Sequence, residues 1–342
     1  MVRDRCAPQK TKVPSTSLSN ADSNADAVWP QLDVGDGVET RRSLLLFGQI
    51  VGKTRLALSP MVNHWWQVPL YVSARGLTTS AIPFGDRIFD LELDFIAHRL
   101  VARSTDGGVA SMALSDRTLA DFYAEYMDLL GRLGVNVPMW PVTVEMPQRI
   151  RFDDASIVRR YDAAWVGRFF RALVQADSIL KGFRGEFLGK ASPVHLFWGG
   201  FDLAVTRFSG RRAPPHPGGI PNVADRVTRE AYSHEVSSAG FWPGDERFGE
   251  AAFYAYAYPE PAGFRDAPVL PAAARYEPTL GEFVLPYAEV RRAADPRGDV
   301  RAFLATTYGA AADLGEWDRA SLERGRDGVR APAPDASADR AR

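Results

Sequence analysis

The chain has 342 residues, of which 46% are apolar, 11% aromatic and 24% charged, the balance of an ordinary globular protein. Lysine and arginine total 41 against 42 aspartates and glutamates, so the formal net charge is −1, which disfavours a strongly basic nucleic-acid binder and leaves room only for a local basic patch. The single cysteine, Cys6, excludes an intrachain disulfide, a CxxC zinc site and a cysteine-held cluster.

In chain order, residues 1–28 carry no aromatic side chain and are expected to form a disordered tail, as is the Arg- and Pro-rich segment 323–342. The opening MVRDRCAPQK has no apolar core of a secretory signal, and the longest apolar stretch, Leu44 to Gly52, is too short for a membrane span. A cytoplasmic protein without membrane or nucleic-acid partners is therefore expected. The body divides into a first unit, 29–145, and a second, 150–322. In the first, a helix is expected over Glu39 to Ile50. Phe89, Leu91, Leu93 and Phe95 then alternate with Asp90, Glu92 and Asp94, as in a strand packed on one face. Ser115-Asp116 starts the helical run LADFYAEYMDLLGRLG, which Gly134 stops.

The second unit opens with a helix expected from Asp154 to about Lys181, capped by Asp153, with Ile157, Tyr161, Ala164, Trp165, Phe169 and Leu173 at helical spacing. Tyr254, Tyr256 and Tyr258 later alternate with Phe253, Ala255 and Ala257, and Pro296 and Asp299 start a closing helix. Both units also share an order of motifs: Gly-Lys, Ser-Pro, His, Trp, strand, Arg. Trp66 to Arg75 and Trp198 to Arg207 are each nine residues apart. The fold expected is α+β, with two related helix–antiparallel sheet–helix halves, packed edge to edge or facing across a cleft. A doubly wound sheet is disfavoured because strands and helices do not alternate. The competing reading is chance similarity within one irregular α+β domain. The halves differ most at a long inserted loop, 208–250, expected to be ordered and functional because it is dense in aromatic, His, Glu and Ser residues.

The blocks NHWWQVPLYVSARGLTT, GKASPVHLFWGGFDLAVTRFSGR, YSHEVSSAGFWPG and GEFVLPYAEVR resemble the signature blocks of an uncharacterised bacterial family, a domain of unknown function, from about Trp29 to Trp317. The resemblance implies a shared fold and transfers no ligand, cofactor or catalytic residue.

Nucleotide-binding signatures fail. Gly48 to Thr54 has only three residues between its first glycine and Gly52-Lys53, one fewer than a phosphate loop needs, and follows a helix. No two of the five histidines are spaced as a helical metal pair. His64, His195 and His234 with Asp202 or Glu235 would form a metal-dependent hydrolase centre only if the fold gathers them. Ser233-His234-Glu235 is no triad as it stands, since neighbours on a strand face opposite ways.

The preferred reading is a pocket in the second half for a small polar or anionic molecule. Trp198 and Trp242 are its apolar sides, and Tyr254, Tyr256 and Tyr258 its wall. Lys190, Ser192, Asp202, Arg207 and Arg211 contact the ligand, and His234, Glu235 and His195 are the acid–base candidates. Arg75 is expected in the place matching Arg207. Phe197, Phe201 and Trp65 are assigned to packing. The alternative class is a non-catalytic scaffold, with a homodimer as one form of it; no particular cofactor and no reaction can be assigned.

Overall fold

The computed structural model describes residues 28–32 and 34–325, so the expected tails fall almost wholly outside the described residues. Helix α1, Val34–Leu58, leads into a first antiparallel sheet of β1 (Tyr71–Val72), β2 (Gly76–Thr78), β3 (Ile82–Phe84), β4 (Arg87–Asp94), β5 (Arg99–Ser104) and β6 (Val109–Ala113). The order is β1-β2-β4-β5-β6, with β3 on β4. The alternation seen in sequence is β4, where Phe89, Leu91 and Leu93 are buried. A short pair of β7 (Arg117–Thr118) and β8 (Val158–Arg159) brackets helix α2, Leu119–Arg132. Its N-cap is Thr118, whose side chain accepts from the Asp121 amide, rather than Ser115 or Asp116. Gly134, at φ 68°, ends it as expected.

The second half opens with α3, Ala163–Gly185, capped by Asp162 rather than Asp153. Ile157 and Tyr161 therefore precede the helix, because residues 154–157 turn and Val158 pairs as a strand. A second antiparallel sheet follows: β9 (His195–Phe197), β10 (Asp202–Arg212), β11 (His234–Trp242), β12 (Ala252–Tyr258), β13 (Arg275–Glu277) and β14 (Glu282–Pro286), in the order β9-β10-β11-β12-β14-β13. Helix α4, Asp225–Ala231, lies between β10 and β11; α5 (Tyr287–Arg292), α6 (Pro296–Leu314) and α7 (Arg319–Leu322) close the chain. The segment read as one long loop is thus about half regular: it holds the end of β10, α4 and the whole of β11, and its irregular stretches are 213–224, 232–233 and 243–250.

Of the two arrangements expected, the structure has the first. Leu70 and Leu196 exchange backbone hydrogen bonds of 2.9 and 2.7 Å, so the β1 edge of one sheet meets the β9 edge of the other. Two details of the motif alignment do not hold. Gly52-Lys53 lies inside α1, which runs on to Leu58 before Pro60, whereas Gly189-Lys190 lies in irregular chain after α3. Gly52 is required there by packing: a β-carbon would fall 2.2 Å from the Trp198 ring. Arg75, likewise, sits in the turn before β2 and binds Asp94 at 2.5 Å, while Arg207 is in the middle of β10. Buried residues of both halves form one hydrophobic cluster, with Phe47 stacked on Phe122 and Phe169 on Phe201. Among the described residues no helix is long and apolar enough to cross a membrane.

Candidate functional site

The second sheet has two unlike faces. Leu203, Val205, Ala239, Phe241, Phe253 and Leu285 are buried on the face that α3, α5 and α6 cover. Strand alternation then sends Asp202, Trp242, Tyr254, Tyr256, Tyr258 and Glu282 to the other face. Register aligns them across the strands, pairing Gly240 with Tyr254, Ser238 with Tyr256 and Tyr254 with Val284, two residues from Glu282. That face is the wall of a chamber of about 1160 Å³.

Residues 213–224 and 145–149 lie over it. The His216 ring is 4.9 Å from those of Tyr232 and Tyr258, the Tyr258 hydroxyl donates to Pro214 O, and the Glu145 amide donates to Pro221 O. Glycines open the floor. A β-carbon at Gly240 would lie 2.5 Å from the Tyr254 hydroxyl oxygen, so its absence lets that ring cross β11 and donate to Asp202 Oδ2. A β-carbon at Gly199 would strike the Glu145 carboxyl at 2.2 Å, and one at Gly200 would lie 2.9 Å from Asp202 and 4.0 Å from Glu145. The two carboxyls therefore flank one glycine.

Glu145, Asp202 and Glu282 thus share one hollow. Among the described residues, no hydrogen bond or ion pair reaches the carboxyls of Glu145 and Glu282. Glu145 is exposed along the chamber it lines, while its carboxyl packs over the Gly199 backbone. Burial, and after it the Asp202 charge, pushes Glu145 up to about 7 and Glu282 up to about 8. Burial pushes Asp202 up to about 6 against the opposing Tyr254 hydrogen bond. The chamber therefore holds carboxyls that exchange protons near neutrality, as general acids and bases do. Tyr232 and Tyr256 share a hydroxyl hydrogen bond of 2.7 Å, and burial raises both phenols, so they stay neutral donors.

This carries a stability prediction. A carboxyl with a raised native pKa holds its proton more tightly when folded, so its contribution is complete below about pH 4 and is lost as pH rises to about 8. Glu282→Gln removes the titration. Denaturant unfolding should find wild type and variant alike at pH 5, and the variant more stable at pH 8.5 by about 1–2 kcal/mol after allowance for chamber water. An unchanged difference between the two pH values would contradict the assignment.

The residues expected in one pocket divide. Asp202, Trp242, Tyr254, Tyr256 and Tyr258 line the chamber. Arg207 does not: it lies on the helix-covered face, 3% exposed, its guanidinium 3.4 Å from the Phe183 ring centre and 4.3 Å from that of Tyr308, donating to Phe183 O. Arg211 and Glu235 pair at 2.7 Å outside it, and Arg211 also donates to Glu316 O at the end of α6. Ser192 is fully buried, accepting from the Thr206 amide. Trp198 is buried against Gly52 and donates to Val68 O. His195 is buried among Trp66, Tyr71 and Phe197, and desolvation lowers it to about 3, so it is a neutral packing residue. Phe197, Phe201 and Trp65 pack as expected.

Lys190 and His234 meet elsewhere, at His64. The His64 Nδ1 is 3.0 Å from Ala231 O, which only accepts, so Nε2 is the unprotonated nitrogen and takes the Lys190 ammonium at 2.7 Å. The His234 ring is 5.8 Å from that of His64. The histidines therefore do not gather with carboxylates into a metal centre: among the described residues, no group of three or more His, Cys, Asp or Glu is placed to hold a metal ion.

Sequence reasoning missed Glu145, Glu282, Tyr232, His216 and Phe248, which also line the chamber. Glu282 had a local signal, since Glu282, Val284 and Pro286 alternate with Phe283 and Leu285. Glu145 had none, as it lies in irregular chain and reaches the site only through the fold. Comparison with known families matches residues 29–324 to a family of unknown function, DUF5996. No curated protein and no solved structure matches the chain.

Proposed function

The chain belongs to DUF5996, a family without an assigned activity, and from that premise we propose that it binds a small polar molecule in the chamber over β12 and is equipped to move a proton on it. The observation that carries this reading is the meeting of three carboxyls with a wall of tyrosines and Trp242 in a hollow large enough for a metabolite-sized guest. The rings supply flat stacking surfaces and neutral donors. Asp202 and Glu145, on either side of Gly200, are the proton-transfer pair, and Tyr254 positions Asp202. A cytoplasmic setting belongs to the same proposal. So does descent of the two halves from one duplicated unit, which their shared helix–antiparallel sheet–helix order supports and their differently placed Gly-Lys pairs do not.

Thermal melts with choline, spermidine, glucose and inorganic phosphate test the site. At a hundredfold excess over its dissociation constant, one of these probes should raise the wild-type melting temperature by about 5 °C or more. The shift should vanish in Tyr256→Ala. A shift that survives this substitution would place binding elsewhere. The separation of His195, His234 and Arg207 into unconnected contacts favours a second reading, a non-catalytic scaffold, which stands if none of the probes shifts the melt.

A further inference from the structure

We infer that the molecule the chamber takes is an organic cation, an amine or quaternary ammonium compound. The inference rests on the chamber being a binding site, and it follows from how the charges of the wall are used. The lining holds six acidic residues and four arginines. Every one of those arginines is already engaged: Arg41 and Arg42 hold Glu246 at 2.5 and 2.9 Å, Arg247 holds Asp245 at 3.2 Å, and Arg275 holds Glu250 at 3.3 Å. An anion entering would have to compete with these carboxylates for the arginines and would also face three carboxyls. Those carboxyls, Glu145, Asp202 and Glu282, have no cationic partner among the described residues.

Beside them stand the faces of Tyr254 and Tyr256, stacked with centroids 6.2 Å apart, and Trp242, 5.7 Å from Phe248. Aromatic faces next to carboxylates are the surroundings in which an ammonium group gains from both ring quadrupole and ion pairing. A neutral polyol would use the rings and hydroxyls but would leave the carboxyls without a counter-charge. The volume of about 1160 Å³ also exceeds what a single ammonium group fills, which suits an extended guest with more than one contact.

Binding of a cation must then be linked to proton release. The empty chamber holds its carboxyls partly protonated; a bound positive charge ionises them. The groups facing this equilibrium are Asp202 from β10, Glu282 from β14 with Glu277 opposite it and Arg275 on β13, Tyr254 and Tyr256 from β12, and Tyr232 before β11. Arg41 and Arg42 from α1, Glu145 from the segment after α2, His216 from the covering loop, and Asp245, Glu246 and Arg247 from the turn after β11 face it too. Choline is the probe of choice because its own charge does not change with pH, with spermidine as an amine and glucose and inorganic phosphate as contrasts.

Titration calorimetry of the full chain at pH 6.5 and 8.5, each in two buffers of different ionisation heat, gives the readout. The expected result is cation binding at least tenfold tighter at pH 8.5, buffer-dependent heat at pH 6.5 that reports proton release, and a smaller pH dependence in the near-isosteric Glu282→Gln, with the remainder carried by Glu145 and Asp202. The wild-type proton release needs no variant, so poor folding of Glu282→Gln would not spare the idea. Cation affinity equal at both pH values overturns it. Glucose or phosphate bound in a Tyr256-dependent way, with both cations inert, overturns the ligand class and leaves the chamber as a binding site. Absence of binding by all four probes removes both.

Discussion

Arg207→Ala should lower the melting temperature by about 10 °C and leave binding in the chamber unchanged. The guanidinium lies between Phe183 and Tyr308 and donates to the Phe183 carbonyl in the last turn of α3, where the helix leaves backbone oxygens without internal partners. Truncation empties that sandwich and strands the carbonyl. Large-to-small changes at such sites cost about 3–4 kcal/mol, close to 10 °C for a domain of this size. Differential scanning calorimetry measures the loss, and choline titration at pH 8.5 measures the second half of the claim. A normal melt with abolished binding would return Arg207 to the ligand.

Gly52→Ala is the second large effect, and its sign runs against helix propensity. Alanine in a helix interior is ordinarily favoured over glycine by about 1 kcal/mol. At position 52 the new methyl would meet the Trp198 indole at 2.2 Å, and the indole cannot retreat, since it is 5% exposed and tied to Val68 O at 2.8 Å. A net loss of about 2–3 kcal/mol is expected from overpacking. Gly182→Ala in α3, where nothing lies within 4 Å of the added atom, is the control and should be neutral or stabilising in the same denaturant melts.

What was legible in the sequence follows the range over which each signal acts. The tyrosine face of β12 and the buried face of β4 are local, period-two patterns, and both stand in the fold where they were read. The α+β class follows from the same local runs. Arg207 was misassigned although parity already spoke against it: Asp202 and Arg207 are five positions apart on one strand and so face opposite ways. Gly52-Lys53 looked like a helix end because glycine usually is one; its cause is a tryptophan 146 positions later, invisible to any local rule. Glu145 belongs to this second kind, since only the covering loop and Gly199 bring it to the site.

The junction at Leu70 and Leu196 has a consequence for how the chain keeps to itself. An open strand edge offers unpaired amides and carbonyls on which foreign strands can be templated. Here the inner borders of the two sheets meet through one bridge, in which Leu70, just before β1, and Leu196 of β9 bond to each other. Of the outer borders, β13 is three residues long and begins with a charged arginine, and β3, also three residues, carries Pro83, which leaves β6, with Val109 at its exposed start, as the border where self-association into fibrils or stacked aggregates would begin.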